Sequence, residues 1–278
     1  MGQRLALGID IGGTGVKFGL VDLEAGQIEG ERKRLPTPRP ATPEALIEIV
    51  TEALRLTDRQ AVEAVGIAFP AVVQDGIALT AVNIAPEWQY RDVAKTFAEA
   101  IDCDVAVLND GDAAGLAEVR FGAGKGVRGK VVCVTLGTGV GTSLFLDGRL
   151  IPNIEFGRLH VRGQPAGERA ANSVRKRRKL SWKTWALDVE AYLRELDNAA
   201  WPNLIIIGGG VSKEAHNFLP RIHCRPVVTP AALRNDAGIV GAAIYAADHA
   251  RREERRERRE EARHGDHHAQ AAGAAPPA

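Results

Sequence analysis

The sequence predicts an α/β protein built from two half-domains that share one architecture. The main observation is a glycine-rich turn that occurs twice, as Gly13-Thr14-Gly15-Val16 and as Gly137-Thr138-Gly139-Val140. An apolar, strand-like segment enters each turn and another leaves it, ending on Asp22 in the first copy and on Asp147-Gly148 in the second. Amphipathic helical segments between and after the two copies complete the α/β pattern.

The repeated turn suggests a clamp for phosphate groups. Glycines at such turns adopt backbone angles closed to other residues, and they leave no side chain between the backbone N–H groups and an anion. The threonine hydroxyls add donors. An ordinary hairpin turn is the alternative, because a single Gly-Thr-Gly is a weak signal. The second copy at an equivalent place favours the phosphate clamp.

The elements between the two turns follow from the spacing of apolar residues. Across 43–54 they recur every three or four positions, which predicts an amphipathic helix. A buried strand over 64–69 stops at Pro70, and the Gly, Pro and Asn content of 71–88 is typical of a ligand-contacting loop. The next strand, over 105–108, precedes a helix.

Asn109 and Asp110 stand where that strand ends. Ligands of open α/β sheets bind beyond the carboxyl ends of the strands, so this pair is placed to hold and deprotonate a substrate hydroxyl. A helix cap is the alternative, because Asn or Asp would cap the following helix equally well. An aspartate with its ordinary pKa of about 4 is a weak base at neutral pH.

After the second turn, a strand over 204–207 enters Gly208-Gly209-Gly210. Three glycines there would let a nucleotide or phosphate approach the N-terminus of a following helix. Small residues at helical spacing across 235–245 then predict a terminal core helix. Residues 251–263 are almost entirely Arg and Glu and indicate a solvated extension, whereas 269–278 should not order themselves.

The composition argues against several functional classes. The 278 residues carry a formal net charge of +1, which indicates neither a nucleic-acid nor a membrane partner. No apolar run approaches the ~20 residues of a bilayer span, and the first residues lead directly into a strand, so we expect a cytoplasmic protein. Cys103, Cys133 and Cys224 lie far apart and predict reduced thiols without a disulfide frame or zinc site.

Residues 5–247 resemble the ROK family of sugar kinases. Its motifs occur in order as Asp10-Ile11-Gly12-Gly13-Thr14-Gly15-Val16-Lys17, Asn109-Asp110, Leu136-Gly137-Thr138-Gly139-Val140-Gly141 and Gly208-Gly209-Gly210-Val211-Ser212. The resemblance implies the two-lobed fold of actin, hexokinase and the Hsp70 ATPase domain, with ribonuclease H-like lobes and a central cleft. It implies an N-terminal lobe at 1–109, completed by a returning helix at about 236–250, a C-terminal lobe at 110–235 and a tail at 251–278.

Within this family, the chain is similar to the branch of polyphosphate/ATP glucokinases. The similarity lies in Phe69-Pro70-Ala71-Val72-Val73, Pro152-Asn153-Ile154-Glu155-Phe156-Gly157 and Leu180-Ser181-Trp182-Lys183-Thr184-Trp185-Ala186. It implies that glucose is converted to glucose 6-phosphate with polyphosphate, ATP or both as donor, by a magnesium-dependent homodimer. The cysteine-rich zinc motif of many ROK kinases is missing from this sequence, so we expect magnesium and no zinc.

The resemblance also implies roles for individual residues. Asp110 is expected to be the general base, Asn109 to hold a neighbouring hydroxyl, and Asp10 to position hydrated magnesium. The expected phosphate and nucleotide contacts are Asp10, Gly12, Gly13, Thr14, Lys17, Gly137, Thr138, Gly139, Gly208, Gly209 and Gly210. The expected sugar contacts are Asn83, Asn109, Asp110, Glu155, Arg158 and His160.

The sequence departs from the family at one sugar contact. Arg158 replaces the histidine that follows Glu-x-Gly, and His160 lies two residues further on. Arginine has no lone pair with which to accept a hydroxyl proton. Arg158 is therefore expected to contact the sugar differently, to point toward a phosphate or to make the enzyme weak. The acceptor is either glucose or another hexose such as mannose, fructose or an N-acetylhexosamine.

A basic segment bears on the choice of donor. Arg175-Lys176-Arg177-Arg178-Lys179, with Arg169 upstream, would guide a polyanion toward the cleft, and the alternative is a solvated helix face. Trp182 and Trp185 are expected to anchor a helix in the core or at a subunit interface.

A non-catalytic, sugar-sensing regulator is the alternative from another functional class. The kinase is favoured because Asp110 is retained and the first strand begins at about Leu5.

Overall fold

The computed structural model describes residues 4–58, 62–82 and 84–272, with side chains described as far as residue 259. Strands and helices alternate along the chain, as the sequence predicts. In chain order they are β1 (Leu5–Gly12), β2 (Gly15–Asp22), β3 (Gln27–Leu35), α1 (Pro43–Arg55), β4 (Val65–Phe69), β5 (Val73–Gln74), β6 (Ile77–Ala78), α2 (Val93–Ile101), β7 (Val105–Asn109), α3 (Asp110–Arg120), β8 (Lys130–Leu136), β9 (Val140–Leu146), β10 (Arg149–Ile151), β11 (His160–Val161), β12 (Gln164–Pro165), α4 (Asn172–Arg177), α5 (Trp182–Ala200), β13 (Leu204–Gly208), α6 (Ala215–Phe218), β14 (Val227–Pro230) and α7 (Ala237–Ala272).

Two five-stranded sheets of matching design form the frame. The first has the order β3-β2-β1-β4-β7 and the second the order β10-β9-β8-β13-β14. In each sheet an antiparallel three-stranded meander continues into two parallel strands. The shared architecture predicted from the repeated turn is therefore confirmed, and the repeat marks the equivalent hairpin of each sheet.

Helices α3 and α7 pack against each other and connect the two sheets. The contact is close enough that a Cβ atom on Gly241 of α7 would lie 1.7 Å from the carbonyl oxygen of Ala113 on α3. Similarly, a Cβ on Gly66 of β4 would lie 1.9 Å from the carbonyl oxygen of Ala242. These glycines let α7 lie directly on the first sheet. For this reason we propose that the helix from about 236 completes the N-terminal lobe.

Helix α7 is longer than the sequence suggests. It continues without a break through the Arg/Glu-rich segment to Ala272. The expectation that no residue from 269 onward is ordered is therefore wrong for 269–272, and alanine's high helix propensity accounts for the difference. Among the helices of the described chain, α7 included, none combines the length and the apolar character that crossing a membrane requires.

Two further segments differ from expectation in detail. The loop over 71–88 contains the β5–β6 hairpin and ends in a helical turn, Pro86–Trp88, whose Trp88 is fully buried against Phe69 and Phe97. After Gly208-Gly209-Gly210, the expected helix is present as a helical turn, Gly210–Glu214, followed by the four-residue α6. The strand before those glycines is confirmed as β13.

The tryptophans of α5 anchor this helix in the core, as expected. Trp185 is fully buried and packs edge-on against Phe218 of α6, with ring centroids 4.9 Å apart. Trp182 stacks on the same phenylalanine from one turn away. The pair therefore fastens α5 to α6 below the second sheet.

Candidate active site

The two glycine turns open toward free space. Phosphate turn 1 joins β1 to β2 across the pair Gly12 and Gly15, and phosphate turn 2 (Gly137-Thr138-Gly139) joins β8 to β9. A Cβ atom added at Gly13, Gly137 or Gly139 would meet no other atom within 4 Å. The turns can therefore accept a phosphate group against their backbone.

The backbone angles of these turns differ from the prediction. Glycines 12, 13, 15, 137 and 139 are not among the positive-φ glycines of the described chain, so no positive φ supports the prediction that they adopt backbone angles closed to other residues. Gly13, Gly137 and Gly139 provide open space, whereas a Cβ atom on Gly15 would clash with the side chain of Arg34. Gly209 does need glycine, since its φ is 79°.

Gly208-Gly209-Gly210 lie beside phosphate turn 2. Gly208 pairs in register with Thr135, and a Cβ on Gly209 would lie 3.2 Å from the backbone nitrogen of Leu136. Two of the predicted phosphate motifs therefore occupy one edge of the second sheet, although Gly137 and Gly208 are 71 positions apart in the sequence. This edge provides a candidate binding site for the donor.

Asn109 caps the helix that carries Asp110. Its Oδ1 accepts hydrogen bonds from the N–H groups of Gly111 and Asp112, at 2.8 and 3.1 Å. Its Nδ2 donates to the carbonyl of Ala71 at 2.9 Å. The cap that the sequence offered as an alternative is thus present. One N–H of the side-chain amide remains for a sugar hydroxyl.

Asp110 begins α3 at the carboxyl end of β7, and water reaches its side chain from the cleft. Protein atoms nevertheless crowd the carboxylate, and this desolvation, together with the negative charge of Asp10, raises the pKa of Asp110 to about 6. Glu155 acts weakly in the same direction, while the N–H of Gly111 opposes it. Asp110 is therefore a stronger base than the ordinary aspartate assumed from the sequence.

Asp10 lies on β1, two strands from Asp110 in the first sheet. Its Oδ2 accepts a hydrogen bond from the Nζ of Lys17 at 2.7 Å, and the pair is largely shielded from solvent. Gly238, in the first turn of α7, packs against the carboxylate. Lys17 and Asp10 thus place one cation and one anion below phosphate turn 1.

The residues around Asp10 fit magnesium bound mainly through a donor. Magnesium usually keeps several waters and binds one or two carboxylates plus substrate phosphates, and Asp10 supplies a single carboxylate next to a phosphate turn. Within the described residues, no three His, Cys, Asp or Glu side chains are grouped so that they could hold a metal ion by themselves.

The backbone on either side of Glu155 is fixed by hydrogen bonds to Thr142. The Oγ1 of Thr142 donates to the carbonyl of Ile154 at 2.6 Å and accepts from the N–H of Phe156 at 3.0 Å. A Cβ on Gly157 would lie 2.0 Å from the carbonyl oxygen of Val140, so glycine is needed for this segment to lie against β9. The charge of Glu155 lies close enough to Asp110 to contribute to the raised pKa of that carboxylate.

Arg158 and His160 differ in their relation to this cleft. The Nε of Arg158 lies 3.6 Å from Oε2 of Glu155, and the arginine side chain is 69% exposed. His160 pairs with Pro165 through the β11–β12 ladder and is exposed, and its side chain has no hydrogen bond or ion pair with a described residue. Asn83 lies outside the described residues.

The basic segment begins directly at phosphate turn 2. Ser173 of α4 donates from its backbone N–H to the carbonyl of Gly137 at 3.1 Å, and from Oγ to the carbonyl of Thr138 at 2.6 Å. Arg175 stacks on Trp182 at 3.8 Å, and Arg169 binds Asp188 at 2.7 Å. Four exposed cations remain, namely Lys176, Arg177, Arg178 and Lys179.

Sequence reasoning missed two buried carboxylates on α3. Asp112 is 2% exposed, and its Oδ2 accepts the backbone N–H of Asn153 at 3.0 Å. Burial raises the pKa of Asp112 to about 7; the Asn153 hydrogen bond opposes the shift, and the charges of Asp110 and Glu155 add to it. Glu118, 3% exposed, accepts three backbone N–H groups from two loops. In the sequence, the signal for these two residues is a carboxylate on a helix face that is otherwise lined by small and apolar residues.

Comparisons with known proteins agree with this geometry. The family model described as "ROK family" matches residues 6–155. A polyphosphate glucokinase of Mycobacterium tuberculosis is 45% identical over 243 residues, which cover 87% of this chain and 91% of that protein.

Two solved structures are also similar. The inorganic polyphosphate/ATP-glucomannokinase from Arthrobacter sp. strain KM is 44% identical, with a TM-score of 0.82 and coverage of 87% of this chain and 97% of that one. A ROK family glucokinase from Streptomyces griseus, solved in complex with glucose and AMPPNP, is 27% identical, with a TM-score of 0.76 and coverage of 88% and 99%. By its matched family model, its relatives and its two glycine-turn sheets, the chain belongs to the ROK family.

Proposed function

We propose that the protein is a glucokinase that transfers a phosphoryl group from polyphosphate, ATP or both to the 6-hydroxyl of glucose. The observation that carries the proposal is the position of Asp110. Its carboxylate stands at the carboxyl end of β7, two strands from the strand of Asp10, and the charges of Asp10 and Glu155 add to the burial that raises its pKa to about 6. The relatives named polyphosphate glucokinase and polyphosphate/ATP-glucomannokinase support the same reaction.

The chemistry follows from the two sides of the cleft. As the sugar hydroxyl oxygen attacks the terminal phosphorus of the donor, the bond from that phosphorus to the bridging oxygen breaks. The hydroxyl proton passes to Asp110. Charge that develops on the phosphoryl oxygens is stabilised by the backbone N–H groups of the two phosphate turns and by Lys17. Asn109 and Glu155 orient the sugar.

We propose that magnesium accompanies the donor, with Asp10 holding it through water. Bound to the donor phosphates, the ion would neutralise part of their charge. Lys17 orients the Asp10 carboxylate, because it donates to one of the two carboxylate oxygens. We propose that the protein forms the homodimer that the resemblance implies, so sedimentation velocity should show a species of twice the chain mass.

The pH dependence of the reaction is a direct consequence of the Asp110 environment. The base works only when deprotonated, so kcat/KM for glucose should rise from pH 5 to pH 7 with a midpoint at about 6. The measurement is an initial-rate profile with each donor in turn, because the terminal phosphate of a donor also titrates. A shared midpoint assigns the titration to the enzyme, and a flat profile across this range would refute the assignment.

The basic segment is proposed to bind polyphosphate. It is anchored on phosphate turn 2 through Ser173, so its exposed cations continue the donor site along the protein surface. Replacing Lys176, Arg177 and Arg178 by glutamine should raise the KM for polyphosphate about fivefold at low ionic strength, and added salt should shrink the effect. The KM for ATP should stay within about twofold.

The matched control makes the same change of charge elsewhere. Arg252, Arg255 and Arg258 are exposed on α7. Their replacement by glutamine should leave the KM for both donors unchanged. If both triple variants behave alike, the segment on α4 is only a solvated face.

A second acceptor is favoured by one observation. Arg158 lies beside Glu155 at 3.6 Å, where a family member would carry a neutral acceptor. A kinase for another hexose is therefore the alternative function. Initial rates with glucose, mannose, fructose and N-acetylmannosamine, measured at saturating donor, distinguish the two functions. The highest kcat/KM is expected with glucose. A clear preference for another sugar would instead identify the protein as a kinase for that sugar.

A further inference from the structure

Asn153 joins the two sheets at the acceptor side of the cleft. It lies in the loop after β10 of the second sheet, two residues before Glu155. Its side chain reaches Val73 of the β5–β6 hairpin, which follows β4 of the first sheet. The Nδ2 donates to the Val73 carbonyl at 2.8 Å, and Oδ1 accepts the Val73 N–H at 3.3 Å.

The same residue is tied to the helix that carries the base. Its backbone N–H donates to Oδ2 of Asp112, which lies on the first turn of α3 next to Asp110. Asp112 is 2% exposed, and its Oδ1 has no hydrogen-bond partner among the described residues. One oxygen of a buried carboxylate is therefore committed to holding Asn153.

The geometry requires asparagine in two respects. Its φ is 59°, a left-handed conformation that asparagine and glycine tolerate best. The side chain must also donate to one backbone group and accept from another of the same residue, which only an amide of this length does. Aspartate has the same shape but cannot donate to the Val73 carbonyl.

Both halves of the sugar site depend on this contact. On the first sheet, the segment from Ala71 to Val73 is held by Asn109 at one end and by Asn153 at the other. On the second sheet, Asn153 precedes Glu155 in the chain. We infer that Asn153 is a positioning residue that fixes the separation between these two halves, so that the bound sugar faces Asp110. The inference rests on the proposed function, since it concerns the same sugar site.

The test separates the side chain from the backbone. Asn153→Gly keeps the left-handed backbone and the N–H to Asp112, and removes only the two hydrogen bonds to Val73. Asn153→Asp keeps the shape, removes the donor and adds a negative charge, which the control below adds elsewhere. Both variants should weaken glucose binding at least about tenfold, measured by calorimetry without donor, and raise the KM for glucose equally. The KM for the donor should stay within about twofold of wild type.

Asn203→Asp is the matched control. The Oδ1 of Asn203 likewise accepts a backbone N–H, from Lys130, and Asn203 lies at the end of β13 opposite to its glycines. It should bind glucose as wild type does. If Asn153→Gly binds glucose as tightly as wild type, or loses thermal stability while the folded fraction keeps its KM, the inference is overturned. If wild type neither binds nor phosphorylates a sugar, the proposed function fails and the inference fails with it.

Discussion

Replacing Asp110 by asparagine is expected to lower kcat for sugar phosphorylation by a factor on the order of 10³, because a general base contributes about 10²–10⁴. Asparagine has nearly the same shape but cannot accept the hydroxyl proton. The N–H of Gly111, which Asp110 accepts at 2.9 Å, can still bond to the amide oxygen. Glucose binding should therefore persist, and the loss should appear in kcat more than in the dissociation constant.

The control for this variant is Asp147→Asn. Asp147 lies in the turn after β9 with a φ of 48°, which asparagine tolerates, and its Oδ1 accepts the N–H of Gly129 at 2.8 Å. The asparagine amide oxygen can accept that bond as well, so activity should be unchanged. If Asp110→Asn retains more than about a tenth of wild-type kcat, proton transfer to Asp110 is not what limits the reaction.

Replacing Glu118 by alanine is expected to lower the free energy of unfolding by about 3 kcal/mol or more. Hydrogen bonds to a charged group contribute about 1.5–3 kcal/mol each, and Glu118 accepts from Ala123 at 3.0 Å, Ala232 at 3.0 Å and Leu233 at 2.7 Å. These bonds tie the loops after α3 and β14 to α3. The melting temperature should fall by roughly 10 °C, measured by calorimetry.

Two further variants check the origin of that loss. Glu118→Gln keeps one acceptor oxygen, so its stability should lie between wild type and Glu118→Ala. Glu99, by contrast, is exposed on α2 and pairs only loosely with Lys95 at 3.8 Å, so Glu99→Gln should change the free energy of unfolding by less than about 0.5 kcal/mol. A Glu118→Ala protein that melts within about 2 °C of wild type would show that these bonds are not stabilising.

The frame of the fold could be predicted from local sequence signals. Apolar runs on either side of a glycine turn predicted β1 with β2 and β8 with β9, and periodicity predicted α1. The length of α7 and the shortness of α6 were not predictable in the same way. The shortness of α6 depends on what this helix packs against, whereas the extension of α7 follows from the helix propensity of its alanines.

The motifs of the candidate site were predictable from the sequence, but the hydrogen bonds between residues distant in the sequence were not. Asn153 and Asp112 are separated by 41 positions, and Glu118 and Leu233 by 115, so no local pattern links them. The raised pKa of Asp110 needs burial and Asp10, which lies 100 positions earlier in the sequence. Asn109 shows that a cap and a proposed substrate contact can be the same residue.

The central claim is phosphoryl transfer to a sugar hydroxyl, and phosphorus NMR of the reaction products tests it most directly. Purified protein is incubated with magnesium and glucose, and with polyphosphate or ATP in separate samples. A phosphomonoester signal that matches glucose 6-phosphate, with at least one donor and absent with Asp110→Asn, is the predicted result. Orthophosphate as the only product, or no change with either donor, would contradict the claim.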